Sequence, residues 1–229
     1  MKYICNLDKN RNEEFVTKMS KFYNLDENLV HLLYSRGVDT QEKLNKFLNP
    51  NLTDLCDPFL FEDMQSAVDL IEQHISKNSK VLIFGDYDVD GISASAILIK
   101  YFNSVGARVS NFMPNRYEDG YGLTVATIDK IFAENKPDLV ITVDCGITGI
   151  DEVEHIKSMG VDVIVTDHHE PLDELPNAIA VIDPKRKDNK YPFNQLAGVG
   201  VVFKLFPCML YSSINLYADN NSKNMKTST

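Results

Sequence analysis

Three aspartates, Asp86, Asp88 and Asp90, fall within five residues of one another in the stretch VLIFGDYDVDGI that starts at Val81. Carboxylates this close repel one another unless some keep their protons or a cation gathers between them. Asp and Gly are also ordinary turn residues, so this stretch taken alone reads equally well as a solvated turn. Two later stretches shift the balance. Asp144 follows the apolar run Leu139-Val140-Ile141-Thr142-Val143, and Asp167, His168 and His169 follow Val161 to Val165 and Thr166. One aspartate at a strand end is commonly a helix cap, but two adjacent histidines after an aspartate are hard to explain as capping. Carboxylates with imidazole and no thiolate nearby suit Mn²⁺ or Mg²⁺ better than a closed zinc site, although ligand type alone leaves zinc open.

For these groups to act together, strands must deliver them to one place. From Val81 onward strands and helices alternate: strand 81–84, helix 91–104, strand 108–113, helix 124–134, strand 139–143, helix 149–159, strand 161–165 and a short strand 178–182. The apolar runs do not alternate with polar residues, as expected for strands covered on both faces. Repeated β-α-β units with short connections predict an α/β fold with a doubly wound, mainly parallel sheet. All its strands then end on one edge, so groups about 60 and 80 positions apart converge there.

Residues 1–78 predict a helical lead-in to the sheet, with helices near 13–23, 26–37 and 40–48 and a fourth that Asp63 caps and that runs to about Lys77. His31, on an apolar helical face, reads as packing. No apolar run approaches the roughly 18–20 residues of a membrane span, and the N-terminus lacks a signal-peptide core. The cysteines, Cys5, Cys56, Cys145 and Cys208, form no CxxC pair, which argues against a zinc ribbon and fits a reducing cytoplasm. A net charge of −10 is unusual for a nucleic-acid binder. Cations bound among the acidic groups would soften it, and the basic run Lys185-Arg186-Lys187 with Lys190 stands apart from the acidic background. Arg116 is a candidate for gripping a substrate phosphate with its planar fork, against a plain salt bridge to Glu118 or Asp119.

The segments GDYDVDG (85–91), VDCGI (143–147) and TDHHEP (166–171) resemble, in order and spacing, the first three motifs of the DHH phosphoesterase superfamily. PNRYEDGYGL (114–123) and LAGVGVVFKL (196–205) are similar to segments of its RecJ branch, the 5′→3′ exonucleases specific for single-stranded DNA that serve DNA repair and recombination. The resemblance covers about residues 20 to 206. It implies Asp86, Asp88, Asp144 and His168 as ligands of a two-ion Mn²⁺ or Mg²⁺ site. It also implies His169 facing the scissile phosphate, Asp167 orienting behind it, and single-stranded DNA with a 5′ end as the partner. Asp90 is left open between helix capping and metal contact. Members of the branch supply one further metal-binding aspartate downstream and then a second domain. Here the DHH-type domain spans 79–206, incomplete, and 207–229 read as an irregular tail. Asp219 is a poor substitute for the further ligand, lacking a strand before it. A truncated chain with impaired exonuclease activity is therefore expected. The alternatives are a phosphodiesterase for short oligonucleotides or cyclic dinucleotides, or a pyrophosphatase, of the same superfamily, or a non-catalytic remnant.

Overall fold

The structure, a computed structural model, describes residues 12–115 and 122–226, with side chains as far as residue 212. The chain divides into two compact units, Met1–Leu55 and Cys56–Thr229. In the first, α1 (Glu13–Tyr23), α2 (Glu27–Ser35) and α3 (Gln41–Leu48) each start at a side-chain cap, Asn12, Asp26 and Thr40 respectively. Such caps satisfy amide donors that the first helical turn leaves free. Val16, Met19, Val30, Leu33 and Leu44 form the unit's core, and His31 is buried among these helices.

The second unit is the sheet. Its strands are β1 (Lys80–Gly85), β2 (Arg108–Phe112), β3 (Leu139–Val143), β4 (Asp162–Thr166) and β5 (Ala180–Ile182), in the order β2-β1-β3-β4-β5 with every neighbouring pair parallel. Between them run α5 (Val89–Ser104), α6 (Val125–Asn135) and α7 (Ile150–Ser158), preceded by α4 (Met64–Ser76) and followed by α8 (Gly198–Lys226). Strand side chains divide by the two-residue repeat of the pleat. Val81, Ile83, Leu139, Ile141 and Ile164 pack into the layer of α4, α5 and α8, whereas Leu82, Phe84, Val140, Val163 and Val165 pack toward α6 and α7. The doubly wound parallel sheet is as the sequence pattern predicts. The chain leaves β1 toward β2 and then crosses back to β3, so the strand order reverses between β1 and β3. Crevices at such reversals, beyond the carboxyl ends of the strands, are where open α/β sheets bind ligands.

Three features depart from the sequence-based picture. First, α4 belongs with the sheet and not with a lead-in over 1–78. Its face of Met64, Ala67, Val68 and Ile71 is buried in the same cluster as β1 and β3, and the chain divides at Leu55. Asp63 precedes α4 but makes no capping bond, because its Oδ2 accepts from Val181 N at 3.0 Å and Arg186 Nη1 at 2.6 Å. Second, the irregular tail expected over 207–229 is helix as far as Lys226. Pro207 lies within that helix, where it removes one amide donor. The burial of Cys208 and Met209, and the absence of Gly or Pro from 208–226, let the helix propagate past it. Third, the basic run is consumed by ion pairs. Arg186 meets Asp63 and Asp188, Lys185 meets Glu170, Lys187 meets Asp173 and Lys190 meets Glu62. Among the described residues, no helix is long and apolar enough to cross a membrane.

Candidate metal centre

Each cluster of polar residues sits where a strand ends. Asp86 follows β1, Asp144 follows β3, and Asp167, His168 and His169 follow β4. The register Gly85↔Val143 and Val143↔Thr166 sets these ends level, so Asp86, Asp144 and Asp167 emerge side by side. The tight turn after β1 depends on Gly91. A Cβ there would lie 2.4 Å from the Asp86 carbonyl oxygen, so only glycine lets α5 start this close to the strand end.

Two overlapping triads result. Asp86, Asp88 and Asp144 each offer an oxygen within 4.8 Å of the others, and Asp144, His168 and His169 do the same with one oxygen and two ring nitrogens. Asp144 is common to both. It is 1% exposed and holds a left-handed backbone conformation at φ 61°, which is uncommon for a residue with a Cβ and clusters at functional sites. Its Oδ1 has no hydrogen-bond partner, although His168 Nε2 stands 3.0 Å away. Burial, reinforced by the charges of Asp90 and Asp88, pushes the Asp144 carboxyl up to about 8. A buried carboxyl group with one oxygen outside any hydrogen bond and like charges crowding it is what a bound cation would satisfy.

Asp88 divides its labour. Oδ1 caps α5 by accepting from Asp90 N at 2.8 Å and Gly91 N at 3.0 Å. These bonds, led by that from Gly91, hold its carboxyl below the usual range. Asp90, left open in the sequence, caps a different helix. Its two oxygens accept from Gly198 N at 2.6 Å and Val199 N at 2.5 Å, so it anchors the start of α8, and Oδ2 is 3.6 Å from His168 Nε2. The start of α8 presses directly on the centre: a Cβ on Gly198 would fall 2.5 Å from Asp144 Oδ1.

Behind the triads, Asp167 is buried and fully engaged. Oδ2 accepts from Ile147 N at 2.9 Å, while Oδ1 accepts from His168 N at 2.7 Å and His169 N at 3.2 Å. Oδ1 also lies 2.7 Å from His169 Nδ1. Burial alone would raise its carboxyl, but the bonds from His169 and the backbone amides hold it below the usual range. In return the Asp167 bond lifts the His169 imidazole to about 8, against the opposing effect of burial. This favours the protonated ring, in which Nδ1–H faces Asp167 and Nε2–H is available.

Asp86, Asp88, Asp144, Asp167, His168 and His169 thus come together in the structure. Arg116 lies outside the described residues. Asp219 lies on α8, beyond the described side chains. One group escaped the sequence reading. Asp183, just past β5, is fully buried, accepts from Lys185 N at 2.7 Å and leaves Oδ2 without a partner. Burial raises its carboxyl to about 7. Its position after the strand run Val181-Ile182 is the same signal that marked the other aspartates, but Pro184 beside it reads as a turn.

The fold and site define a parallel α/β protein that gathers acidic and histidine groups able to hold divalent cations on one sheet edge. The chain belongs to the DHH family: residues 80–227 match the DHH family, N-terminal domain. It is 42% identical over 179 residues to the single-stranded-DNA-specific exonuclease RecJ of Bacillus subtilis (strain 168), an alignment covering 78% of this chain and 23% of that protein. A crystal structure of exonuclease RecJ bound to manganese is similar with 34% identity and a TM-score of 0.58, over 65% of this chain and 37% of that one. A structure of RecJ in complex with Mn²⁺ from Thermus thermophilus shares 27% identity at a TM-score of 0.64, over 87% of this chain and 27% of that one. The chain spans 23% to 30% of the length of the first curated relatives it matches.

Proposed function

We propose that this chain carries the catalytic edge of a metal-dependent phosphodiester hydrolase that degrades single-stranded DNA from a 5′ end. The observation that carries the reading is the convergence of Asp86, Asp88 and His168 on Asp144, a buried residue whose Oδ1 makes no hydrogen bond. The likeness to RecJ relatives supports the substrate class, and the manganese in two of the similar structures supports Mn²⁺ or Mg²⁺.

Asp86, Asp88, Asp144 and His168, gathered around Asp144, would be the ligands of a pair of divalent cations, with His169 of the second triad left free to face the substrate. Bound there, such ions supply charge neutralisation for the phosphate and lower the pKa of water to make a nucleophile. The chain's own residues do the rest. Asp167 holds the Nδ1 proton of His169 and fixes the ring, as groups behind a metal site characteristically do. The cationic His169 can then donate from Nε2 to a non-bridging phosphate oxygen, where negative charge grows in the transition state. Asp90 keeps the first turn of α8 against Asp144. The reading extends to DNA repair and recombination in the cytoplasm, where single strands with free 5′ ends arise.

The test is a single-turnover assay with the chain in excess over a labelled oligonucleotide. Mn²⁺-dependent release of mononucleotides from 5′-phosphorylated single strands, absent with duplex and lost in Asp86→Ala, is the expected result. Cleavage of dinucleotides alone would assign the centre to short substrates instead, and failure to bind Mn²⁺ in calorimetry would remove the hydrolase reading.

A further inference from the structure

The paired members of the basic run are not placed alike. The Arg186 side chain is 8% exposed and held by Asp63, Asp188 and the Val181 carbonyl, while those of Lys187 and Lys190 stand in solvent. Lys185 lies on the flank of His169: its Nζ is 3.2 Å from Oε1 of Glu170, the residue that follows His169 in the chain. We propose that Lys185 is a substrate-binding residue that leaves Glu170 to take a phosphate of the bound strand, with Glu170 the rival anion that holds it in the free chain. This role rests on the phosphodiesterase reading and adds to it the pair of side chains that sets how tightly the strand's backbone is gripped.

The turn that carries Lys185 is anchored on both sides. Thr166 pairs with Ile182 across β4 and β5, and Asp167 N donates to Ile182 O, so Asp183 leaves β5 level with Asp167. Asp183 is fully buried, and its Oδ1 accepts from Lys185 N at 2.7 Å. Pro184 fixes one backbone angle of the turn. Arg186, bonded to Asp63 and to the Val181 carbonyl, ties down the far side. The Lys185 backbone is thereby fixed at the sheet edge that carries Asp167 and His169, and its side chain is left to move. The charge at its tip is felt at the imidazole: the Asp167 bond lifts His169 to about 8, and Lys185 works against that rise.

A strand can break the hold that Glu170 has on Lys185. The Glu170 side chain is 81% exposed, so water already solvates its carboxylate and the pair contributes little. A phosphodiester offers the same ammonium a full negative charge, and its neutralisation also releases counterions condensed along the strand, a gain that a lone carboxylate does not bring. Lysine suits such an exchange, being a compact charge on a flexible stem that needs no single orientation. A backbone that places one phosphate at His169 runs past the carboxylate next to it, and so past the ammonium resting there.

The experiment measures binding of a short, labelled, 5′-phosphorylated single strand by fluorescence anisotropy in Mg²⁺. The full chain carries Asp86→Ala throughout, so that the strand is not cut, alone or with a change at Lys185 or Glu170. Lys185→Gln should weaken binding about fivefold at about 0.1 M salt and flatten the slope of log affinity against log salt by about 0.7, the loss of one phosphate contact to a single strand. Lys185→Arg keeps the charge and should restore most of the affinity. Glu170→Gln should act in the opposite direction and tighten binding about twofold, because the ammonium loses its rival anion. An ion pair with only a structural role is broken by either change, so Lys185→Gln and Glu170→Gln would then bind alike. Equal effects of the two, or no effect of Lys185→Gln, would overturn the role of Lys185 and leave the hydrolase reading to its own cleavage assay. Glu170→Gln, at an exposed position, decides the sign even where Lys185→Gln does not fold. Opposite signs in a chain that, with Asp86 intact, never cuts a strand with Mn²⁺ would keep the phosphate contact and remove the hydrolase.

Discussion

Asp144→Asn is expected to stabilise the metal-free chain while abolishing its response to metal. In the wild-type fold the Asp144 carboxyl is raised from the ordinary 3.8 to about 8, chiefly by burial, with the charges of Asp90 and Asp88 adding to it. Above pH 3.8 the unfolded chain releases this proton and the folded chain keeps it, so stability falls as pH rises and levels off only above about 8. At about 1.4 kcal/mol for each tenfold change in proton affinity, the full penalty is on the order of 5 kcal/mol. Local relaxation and water entry reduce it, and about 2 kcal/mol is a reasonable remainder. For a unit of this size that corresponds to about 4–8 °C in Tm. An asparagine carries no such charge and can donate to Asp88. Thermal melts in EDTA should therefore show the Asp144→Asn variant above wild type at about pH 8, with the gap closing toward about pH 4. Added Mn²⁺ should raise only the wild type. A variant less stable than wild type at the alkaline end without metal, or one that Mn²⁺ stabilises equally, would refute the reasoning.

Three further outcomes follow from the same geometry. Because Asp144 keeps its proton up to about pH 8, cation binding must expel it. Apparent Mn²⁺ affinity should climb by up to about tenfold per pH unit between about 6 and 8 and then flatten, and the calorimetric heat should track the ionisation enthalpy of the buffer. Asp167→Asn removes the carboxylate that lifts His169, so its imidazole should titrate below about 8, toward the ordinary 6.5, in NMR titrations of the ring protons. An unchanged titration would exclude the Asp167 bond as the cause. Asp90→Ala takes away both acceptors at the start of α8, at a cost of about 1–2 kcal/mol, as for the loss of a strong helix cap. Hydrogen exchange at Gly198 and Val199 should quicken, and Mn²⁺ should bind more weakly because α8 no longer presses on Asp144.

Much of the molecule was legible along the chain because its signals are local. Uninterrupted apolar runs mark strands buried on both faces, and Asp26 and Thr40 mark helix starts by chemistry that acts within a turn. The same locality made Asp86, Asp144 and the Asp167-His168-His169 triplet stand out, since each follows its strand immediately. What only the folded chain decided are the pairings that span long loops. Asp63 looks like a cap for α4 and is spent instead on Val181 and Arg186, more than a hundred residues away. Lys185 and Arg186 stand apart from the acidic background in the sequence, but their acidic partners arrive from other segments. Asp90 chooses α8 over its own helix, and Asp144 acquires its raised proton affinity only when burial strips its water away and brings Asp88 and Asp90 close. A residue's type and its neighbours in the chain determine which bonds it is able to make. Which of them it does make depends on what the tertiary fold brings within about three ångströms and what it shields from solvent.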